Sequence, residues 1–237
     1  MNAAVIVAGG SGERFGRSDG KQLALVAGMP VLAHTVAAFE RCDAVEVIVV
    51  VAHPDRVAAY RSRAVEAIGA RKVLAVVPGG ATRRESVAAG LAALPDGCTA
   101  VAVHDGARAA VSVDTIAAGF AALEAEPGLD GVVVGHPAFD TIKEADAASR
   151  VTGTPDRAGL WIAQTPQTFR LPALLHAHER AAADEFEGTD DAGLVERCGG
   201  EVLMLEGSRW NIKVTVPEDL VVLEALLHER GEAAGHV

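Results

Sequence analysis

Cysteines are scarce in this chain: its 237 residues include three, Cys42, Cys98 and Cys198. They lie far apart, are odd in number and show no C-x-x-C spacing. This pattern argues against a disulfide framework and against a zinc site. We therefore expect a protein of a reducing compartment, the cytoplasm.

Long apolar runs and basic residues are also in short supply. No stretch approaches the ~18 uninterrupted apolar residues of a membrane-spanning helix, and the N-terminus lacks the pattern of a signal peptide. Lys and Arg number 21 against 32 Asp and Glu, and the formal net charge of −11 disfavours nonspecific binding to nucleic acid. We expect a soluble, untargeted protein with no membrane or nucleic-acid partner.

What the sequence does contain is a regular alternation of two patterns. Short apolar runs rich in β-branched residues predict strands at Ala3–Ala8, Val45–Ala52, Val73–Val77, Ala100–His104, Gly131–Val134 and Val202–Leu205. Between them, helices are predicted at Pro30–Arg41, Val113–Glu124, Leu171–Asp184, Asp190–Cys198 and Pro217–Glu229, and after the capping box Thr82-Arg83-Arg84-Glu85. Such alternation predicts an α/β protein with a mostly parallel sheet and helices on both faces.

Half of the residues are apolar, which is enough for one substantial core in a chain of this length. We expect a single domain over residues 1–237, with a flexible tail at 230–237. The segment from His136 to Phe169 interrupts the alternation, because it is polar and rich in turn residues. Two short extended pieces around Ala145 to Ser149 favour a projecting hairpin arm at 136–160. A long active-site loop without an arm is the alternative.

A glycine-rich, cationic loop from Ala8 to Gln22 follows the first predicted strand. It departs from the Rossmann fingerprint, the Walker A pattern and the nucleophile elbow. Its glycines let backbone N–H groups approach a polyanion, and Arg14 and Lys21 can neutralise phosphate oxygens. Because ligands bind beyond the carboxyl ends of strands in such sheets, the loop favours phosphoryl or nucleotidyl transfer. A glycine-rich connector with solvent-facing charges is the alternative.

Other polar residues, taken singly, leave their roles open. Asp105 follows a predicted strand on the side of the sheet where ligands bind. Lys213 alone is typical of a solvated charge, and His104 of a packed or hydrogen-bonding residue. Asp190 and Asp191 can cap the following helix, so we leave them out of any metal site.

Several blocks of the sequence, in one order, resemble a known family. The loop Ala8-Gly9-Gly10-Ser11-Gly12-Glu13-Arg14-Phe15-Gly16 with Lys21-Gln22 is similar to the signature of small nucleotidyltransferases. The later blocks are His104-Asp105-Gly106-Ala107-Arg108, Asp140-Thr141-Ile142-Lys143, Asp156-Arg157-Ala158-Gly159-Leu160-Trp161, Gln164-Thr165-Pro166-Gln167-Thr168-Phe169, Thr189-Asp190-Asp191 and Asn211-Ile212-Lys213-Val214-Thr215. Over residues 3 to about 227 they resemble the 2-C-methyl-D-erythritol 4-phosphate cytidylyltransferases of the non-mevalonate isoprenoid pathway.

The resemblance implies a three-layer α/β/α, Rossmann-like nucleotidyltransferase fold with a projecting β-arm. It also implies transfer of a cytidylyl group from CTP to 2-C-methyl-D-erythritol 4-phosphate, giving 4-diphosphocytidyl-2-C-methyl-D-erythritol and pyrophosphate. Mg²⁺ is the implied cofactor, and the 136–160 arm the implied contact of a homodimer. A ribitol-5-phosphate cytidylyltransferase is the alternative enzyme, and a nonenzymatic nucleotide-binding regulator a more distant one.

The same resemblance implies roles for individual residues. The catalytic set is Arg14, Lys21, Arg157 and Lys213. The set that binds CTP is Ala8, Gly9, Gly10, Ser11, Gly12, Gly79, Gly80, Arg83, Ser86 and Asp105. The set that binds the second substrate is Asp105, Arg108, Thr141, Arg157, Thr165 and Lys213, with Arg157 donated across the dimer. Asp105 is the implied metal ligand.

Five positions, Gly9, Gly20, Ala81, Gly106 and Ala109, depart from the usual pattern of the family, and two of them carry predictions. Gly20 stands where the family usually has proline, which predicts a looser loop over residues 16–20 in the absence of ligand. Ala81 replaces a frequently polar residue beside the segment that recognises cytosine. We therefore expect selectivity for cytosine to depend more on backbone contacts.

Overall fold

Strands and helices alternate through the part of the chain that the structure, a computed structural model, describes: residues 1–10, 15 and 20–231. The strands are β1 (Asn2–Ala8), β2 (Leu25–Val26), β3 (Met29–Pro30), β4 (Val47–Ala52), β5 (Val73–Pro78), β6 (Ala100–Asp105), β7 (Gly131–Pro137), β8 (Glu144–Ala145), β9 (Val151–Gly153), β10 (Trp161–Arg170) and β11 (Val202–Glu206). The α-helices are α1 (Val31–Glu40), α2 (Val57–Tyr60), α3 (Arg83–Ala92), α4 (Val113–Ala125), α5 (Leu171–Ala183), α6 (Asp191–Arg197) and α7 (Asp219–Glu229). The predicted strands and helices are confirmed, with small changes at their ends, whereas α2, β2, β3 and β10 were not predicted.

Seven strands form one sheet in the order β11-β7-β10-β6-β1-β4-β5. The pairs β6–β1, β1–β4, β4–β5 and β7–β11 are parallel, whereas β10 runs antiparallel between β6 and β7. The mostly parallel sheet is therefore confirmed. Because the carboxyl ends of parallel strands meet at one edge, the segments after β1, β4, β5 and β6 come together there.

The two faces of the sheet bury separate cores, because successive side chains of a strand point to opposite sides. On one face, Ile6 of β1 belongs to the same apolar cluster as Leu32 of α1 and Phe120 of α4. On the other face, the neighbouring Val5 clusters with Val87 of α3 and with residues of α5 and α6. The three-layer α/β/α arrangement is confirmed.

Strand β10 lies inside the large sheet and was not predicted from the sequence. The predicted interruption from His136 to Phe169 is wrong for Trp161–Arg170, which pairs with β6 and β7. Polar residues of this strand are buried: Gln164, Thr165, Gln167 and Thr168 are each at most 5% exposed. A strand that buries hydrogen-bonded polar groups lacks the apolar run by which a central strand is recognised.

Strands β8 and β9 pair with each other in a two-stranded hairpin separate from the large sheet. Of the predicted tail, residues 232–237 lie outside the described part of the chain, while Arg230 donates from Nη1 to the carbonyl of Ala110 at 2.5 Å. Among the residues that the structure describes, no helix is both long and apolar enough to cross a bilayer.

Candidate active site

Two adjoining clefts open at the carboxyl edge of the parallel strands. The larger, of about 790 Å³, is lined by segments that follow β1, β4 and β5 and by the end of β6. The smaller, of about 260 Å³, is lined by residues of β10, by Arg108 and by the segment before α6. Arg83, Asp105 and Lys213 line both clefts, so these three side chains form the wall between them.

Glycines bring three segments close together in the floor of the larger cleft. Gly9 and Gly10 follow β1, and Gly79 and Gly80 follow β5, as the sequence predicts. A Cβ at Gly79 would lie 2.6 Å from the hydroxyl oxygen of Ser86, and one at Gly9 would lie 3.4 Å from it. The missing side chains thus allow close backbone packing around Ser86.

The hydroxyl of Ser86 is engaged within the protein. It donates to the carbonyl of Thr82 at 2.9 Å and accepts from the N–H of Gly80 at 3.2 Å. Ser86 is 4% exposed and lines the larger cleft. Its observed contacts therefore shape the Gly79–Gly80 turn.

The predicted capping box begins α3. Thr82 Oγ1 accepts from the N–H of Glu85 at 3.1 Å, and Glu85 Oε2 accepts from the N–H of Thr82 at 3.3 Å. These bonds satisfy amide groups that the first turn of a helix leaves without partners. Arg83, the first residue of α3, is thereby set at the junction of the two clefts.

Asp105 is a negative charge surrounded by three cationic side chains at the shared wall. Lys213 Nζ lies 2.7 Å from Oδ2, and two guanidinium nitrogens lie farther off, Arg108 Nε at 3.8 Å and Arg83 Nε at 3.9 Å. Burial alone would raise the pKa of Asp105, but the charges of Lys213 and Arg83 lower it to about 2. Asp105 is therefore ionised at neutral pH and holds Lys213 between the clefts.

A network of hydrogen bonds links the backbone of Asp105 to Thr165 and His104. Thr165 Oγ1 lies 3.0 Å from both the N–H of Asp105 and Nδ1 of His104. His104 Nε2 lies 3.3 Å from the carbonyl of Arg108. A carbonyl can only accept, so Nε2 carries the proton and Nδ1 accepts from Thr165. Burial lowers the pKa of His104 to about 4, which keeps the imidazole neutral.

The loop after β11 carries Lys213 and is tied to the same network. Asn211 Nδ2 donates to the carbonyl of Thr165 at 2.8 Å, and Arg108 Nη1 donates to the carbonyl of Asn211 at 2.8 Å. Lys21 Nζ donates to the carbonyl of Val214 at 2.8 Å. Lys21 therefore contacts the loop that carries Lys213, and both cations line the larger cleft although they are far apart in sequence.

Part of the glycine-rich loop lies outside the described residues. This holds for Ser11, Gly12 and Arg14 of the predicted site, and for residues 16–19, on which the predicted loosening falls. Gly20 is described and has φ +72°. Proline is locked near φ −65°, so this backbone conformation explains why a glycine fits here in place of the family's usual proline.

Ala8 ends β1 and is 1% exposed, with the first described glycines of the loop directly after it. Thr141 and Arg157 are exposed in the segments that flank the β8–β9 hairpin, and in the described chain they line neither cleft. Arg157 Nη1 instead donates to the carbonyl of Phe139. The structure brings together the other described residues of the predicted second-substrate set.

One acidic residue of the site is missed by the sequence analysis. Asp190 caps α6, as predicted, by accepting from the N–H of Gly193 at 3.0 Å. Asp191 instead points inward and is completely buried, with Arg83 Nη1 2.7 Å from Oδ2. The paired acidic residues in the Thr189-Asp190-Asp191 block were the available signal, because one helix needs a single N-cap.

Within the residues that the structure describes, no group of three His, Cys, Asp or Glu side chains is arranged to hold a metal ion. Of the carboxylates in the described part of the chain, one, the ionised Asp105, lines both clefts. Mg²⁺ commonly takes one or two protein carboxylates and completes its shell with substrate phosphates and waters. Asp105 therefore fits a magnesium ion that arrives with a nucleotide.

Comparisons with known proteins find similar chains over nearly the whole length of this one. The family model IspD, described as 2-C-methyl-D-erythritol 4-phosphate cytidylyltransferase, matches residues 2–229. The chain is 44% identical over 226 residues to the 2-C-methyl-D-erythritol 4-phosphate cytidylyltransferase of Geotalea uraniireducens, covering 94% of this chain and 95% of the relative. It is 43% identical over 230 residues to the protein of the same name from Geobacter metallireducens, covering 96% and 97%. The crystal structure of 4-diphosphocytidyl-2C-methyl-D-erythritol synthase from Anaerococcus prevotii matches with TM-score 0.83 and 28% identity, over 96% of each chain.

Proposed function

Because the chain belongs to the family of the 2-C-methyl-D-erythritol 4-phosphate cytidylyltransferases, we propose that its two clefts hold the two substrates of that reaction. The enzyme transfers the cytidylyl group of CTP to 2-C-methyl-D-erythritol 4-phosphate in the non-mevalonate pathway and releases pyrophosphate. The observation that carries the assignment of substrates is the shared wall of Arg83, Asp105 and Lys213.

CTP occupies the larger cleft. Gly9 and Gly10 present backbone N–H groups to the phosphates, and Lys21 supplies a cation at the same end. The resemblance adds Ser11, Gly12 and Arg14 to this phosphate site. The cytosine and ribose lie against Gly79, Gly80 and the first turn of α3, where the narrow turn around Ser86 supports selection of the smaller pyrimidine ring.

The phosphate of 2-C-methyl-D-erythritol 4-phosphate occupies the smaller cleft, near Arg108, Thr165 and Lys213. Lys213 at the shared wall holds the attacking phosphate oxygen beside the α-phosphorus of CTP, and Asp105 keeps the ammonium in place. The nucleophile is already an anion at neutral pH, so no general base and no covalent intermediate are needed. The residues act by positioning two polyanions and by neutralising the charge that builds on the transferred phosphorus.

Mg²⁺ is the proposed cofactor, with Asp105 as its protein ligand. Held by Asp105 and the phosphates of CTP, the ion would supply positive charge that neutralises phosphate oxygens. The position of this ionised carboxylate in the wall shared by the two clefts supports the assignment. Loss of activity in EDTA that returns with Mg²⁺ is the expected result.

A homodimer is the proposed assembly, with the 136–160 arm reaching the partner. Thr141 and Arg157 are exposed and line neither cleft in the described chain, which supports their use in the partner's site. Phe139 and Val151 are 49% and 63% exposed on the arm, and a second copy of the chain would cover them. The proposed location is the cytoplasm, because all three cysteines are free, as is usual for proteins of a reducing compartment.

Mixing of inactive subunits tests the proposed sharing of sites. Arg157→Ala and Lys213→Ala are each expected to be nearly inactive as homodimers. After dissociation and random reassociation of equal amounts, half of the dimers carry one intact site of two, so about a quarter of wild-type activity should return. No recovery in the mixture would place Arg157 outside the partner's site.

Pyrophosphate release tests the reaction itself. The purified protein with CTP, Mg²⁺ and 2-C-methyl-D-erythritol 4-phosphate should release pyrophosphate, and ATP or GTP in place of CTP should give little. Ribitol 5-phosphate is the discriminating acceptor, because it presents a similar phosphate on an unbranched polyol. Release with ribitol 5-phosphate alone would overturn the proposed substrate.

A further inference from the structure

A buried acidic side chain behind the wall of the two clefts has no role in the proposed reaction. Asp191 is completely buried, with its carboxylate between two basic side chains. Arg83 Nη1 lies 2.7 Å from one oxygen, and His178 Nε2 of α5 lies 2.9 Å from the other. Asp191 thus joins helix α5 to the arginine that lines both clefts.

The surroundings of Asp191 stabilise its ionised form. Burial alone would raise its pKa, but the hydrogen bond from His178 and the charge of Arg83 lower it. For Arg83, burial alone would lower the pKa, and the carboxylates of Asp191 and Asp105 raise it. Both members of the pair are therefore charged at neutral pH.

Two carboxylates compete for Arg83 among the described residues. Asp191 is in direct contact at 2.7 Å, whereas Asp105 is 3.9 Å away. Asp105 in turn contacts Lys213 at 2.7 Å. The Arg83 side chain is 29% exposed, and a partly buried guanidinium that loses its partner moves toward another carboxylate, since leaving it without a partner is costly. Without Asp191, Arg83 would close on Asp105 and displace Lys213.

We propose that Asp191 is a positioning residue that holds the Arg83 guanidinium at the wall between the two clefts and so leaves Asp105 to Lys213. The proposal rests on the proposed function, because it assigns Arg83 and Lys213 to the substrates. Asp191 itself lines neither cleft in the described chain and acts through Arg83.

A purely structural role is less able to explain this arrangement. The N-cap of α6 is already supplied by Asp190, whose Oδ1 accepts from the N–H of Gly193. The same residue also accepts from Gln167 Nε2 at 2.7 Å, which fastens the start of α6 to β10. Buried ion pairs can often be replaced by apolar groups without loss of stability, so stability alone does not require Asp191.

A double-mutant cycle on kcat/KM tests the proposal with the full-length enzyme. Asp191→Asn keeps the size of the side chain and removes its charge. A displacement of Arg83 on the ångström scale should lower kcat/KM by about 10- to 100-fold. In an Arg83→Ala background the same change should lower kcat/KM by less than about threefold, since the group on which Asp191 acts is gone.

Equal losses in both backgrounds would overturn the proposal, and so would no loss in the wild-type background. Asp184→Asn is the matched control, because Asp184 is an exposed acid at the end of α5 that pairs with Arg197 at 3.1 Å. It should leave kcat/KM unchanged. If Asp191→Asn does not fold, Asp191→Glu runs the same cycle, since it keeps the buried charge and moves the carboxylate by one methylene.

Calorimetric titration with CTP separates this proposal from the proposed function. If the wild-type enzyme binds CTP but releases no pyrophosphate, the proposed transfer is wrong. The double-mutant cycle is then measured on the Kd for CTP instead of on kcat/KM. Weakening by Asp191→Asn that vanishes with Arg83→Ala supports the positioning role, and equal weakening in both backgrounds refutes it. A wild-type enzyme that neither binds CTP nor reacts refutes both proposals.

Discussion

Replacement of Asp105 by asparagine removes the negative charge at the wall of the two clefts and leaves the shape of the side chain. Lys213, Arg108 and Arg83 then face one another with a neutral amide between them. We expect the variant to be less stable than the wild-type enzyme at neutral pH. The competing possibility is that relief from burying a carboxylate offsets the lost attraction.

The pKa of Asp105 reports whether the attraction to the cations exceeds the cost of burying the carboxylate. Its fall from an ordinary 3.8 to about 2, at about 1.4 kcal/mol for each pH unit, corresponds to about 2 kcal/mol of stability at pH 7. The folded pKa is the lower one, so this contribution is complete above pH 5 and is lost as the pH falls toward 2. The difference between wild type and Asp105→Asn should therefore be constant from pH 7 to pH 5 and fall to about half by pH 3.

Urea unfolding followed by circular dichroism measures this difference at each pH. Asp184→Asn is again the control: its carboxylate is partly exposed and pairs with Arg197 at 3.1 Å, and such surface pairs contribute at most about 1 kcal/mol. Equal stability of wild type and Asp105→Asn at pH 7 would refute the reasoning. A difference that grows as the pH falls would do the same.

Three further changes test other parts of the structure. Lys213→Ala should lower kcat for pyrophosphate release by about 10²- to 10³-fold, since it removes a preorganised cation from the reacting phosphates; Lys72→Ala, remote from the clefts, is the control and should be active. Gly90→Ala should destabilise the protein by about 1–3 kcal/mol in urea unfolding, because the added Cβ would lie 2.5 Å from Val5 Cγ1; a more stable variant would show that the α3–sheet contact can open. In the folded protein the pKa of His104 is about 4, against an ordinary 6.5. The free energy of unfolding of the wild type should therefore fall by about 3 kcal/mol relative to His104→Asn between pH 7 and pH 4. Parallel curves of stability against pH would contradict a buried neutral imidazole.

The candidate site could be predicted from the sequence where its residues follow strands or begin helices. Gly9, Gly10, Gly79, Gly80 and Asp105 lie at the ends of apolar strands, and the fold carries such positions to one edge. A similar argument places Arg83 in the first turn of α3, directly after the N-cap Thr82. The contacts of these residues were not predictable, because they depend on how α3, α5 and α6 pack.

Strand β10 is the part of the fold that could not be predicted from the sequence. Its polar residues gave no strand signal, since Gln164, Thr165 and Gln167 are buried with hydrogen bonds that form only in the folded protein. Gln167 bonds to Asp190 of a later segment, and Thr165 bonds to His104 of an earlier strand. Residue spacing reports which side chains share a face, and it does not report which polar groups will find partners far along the chain.

By itself, the sequence determined the alternation of strands and helices, the glycine-rich loop after β1, the start of α3 at Thr82 and, through its ordered motifs, the family. These features depend on neighbouring residues, whose spacing sets local backbone conformation and the buried face. The tertiary structure alone decided that β10 lies antiparallel at the centre of the sheet, that Lys213 meets Asp105, and that Asp191 lies behind Arg83. Such contacts join residues distant in sequence, and their geometry is set by strand register and helix packing rather than by any local pattern.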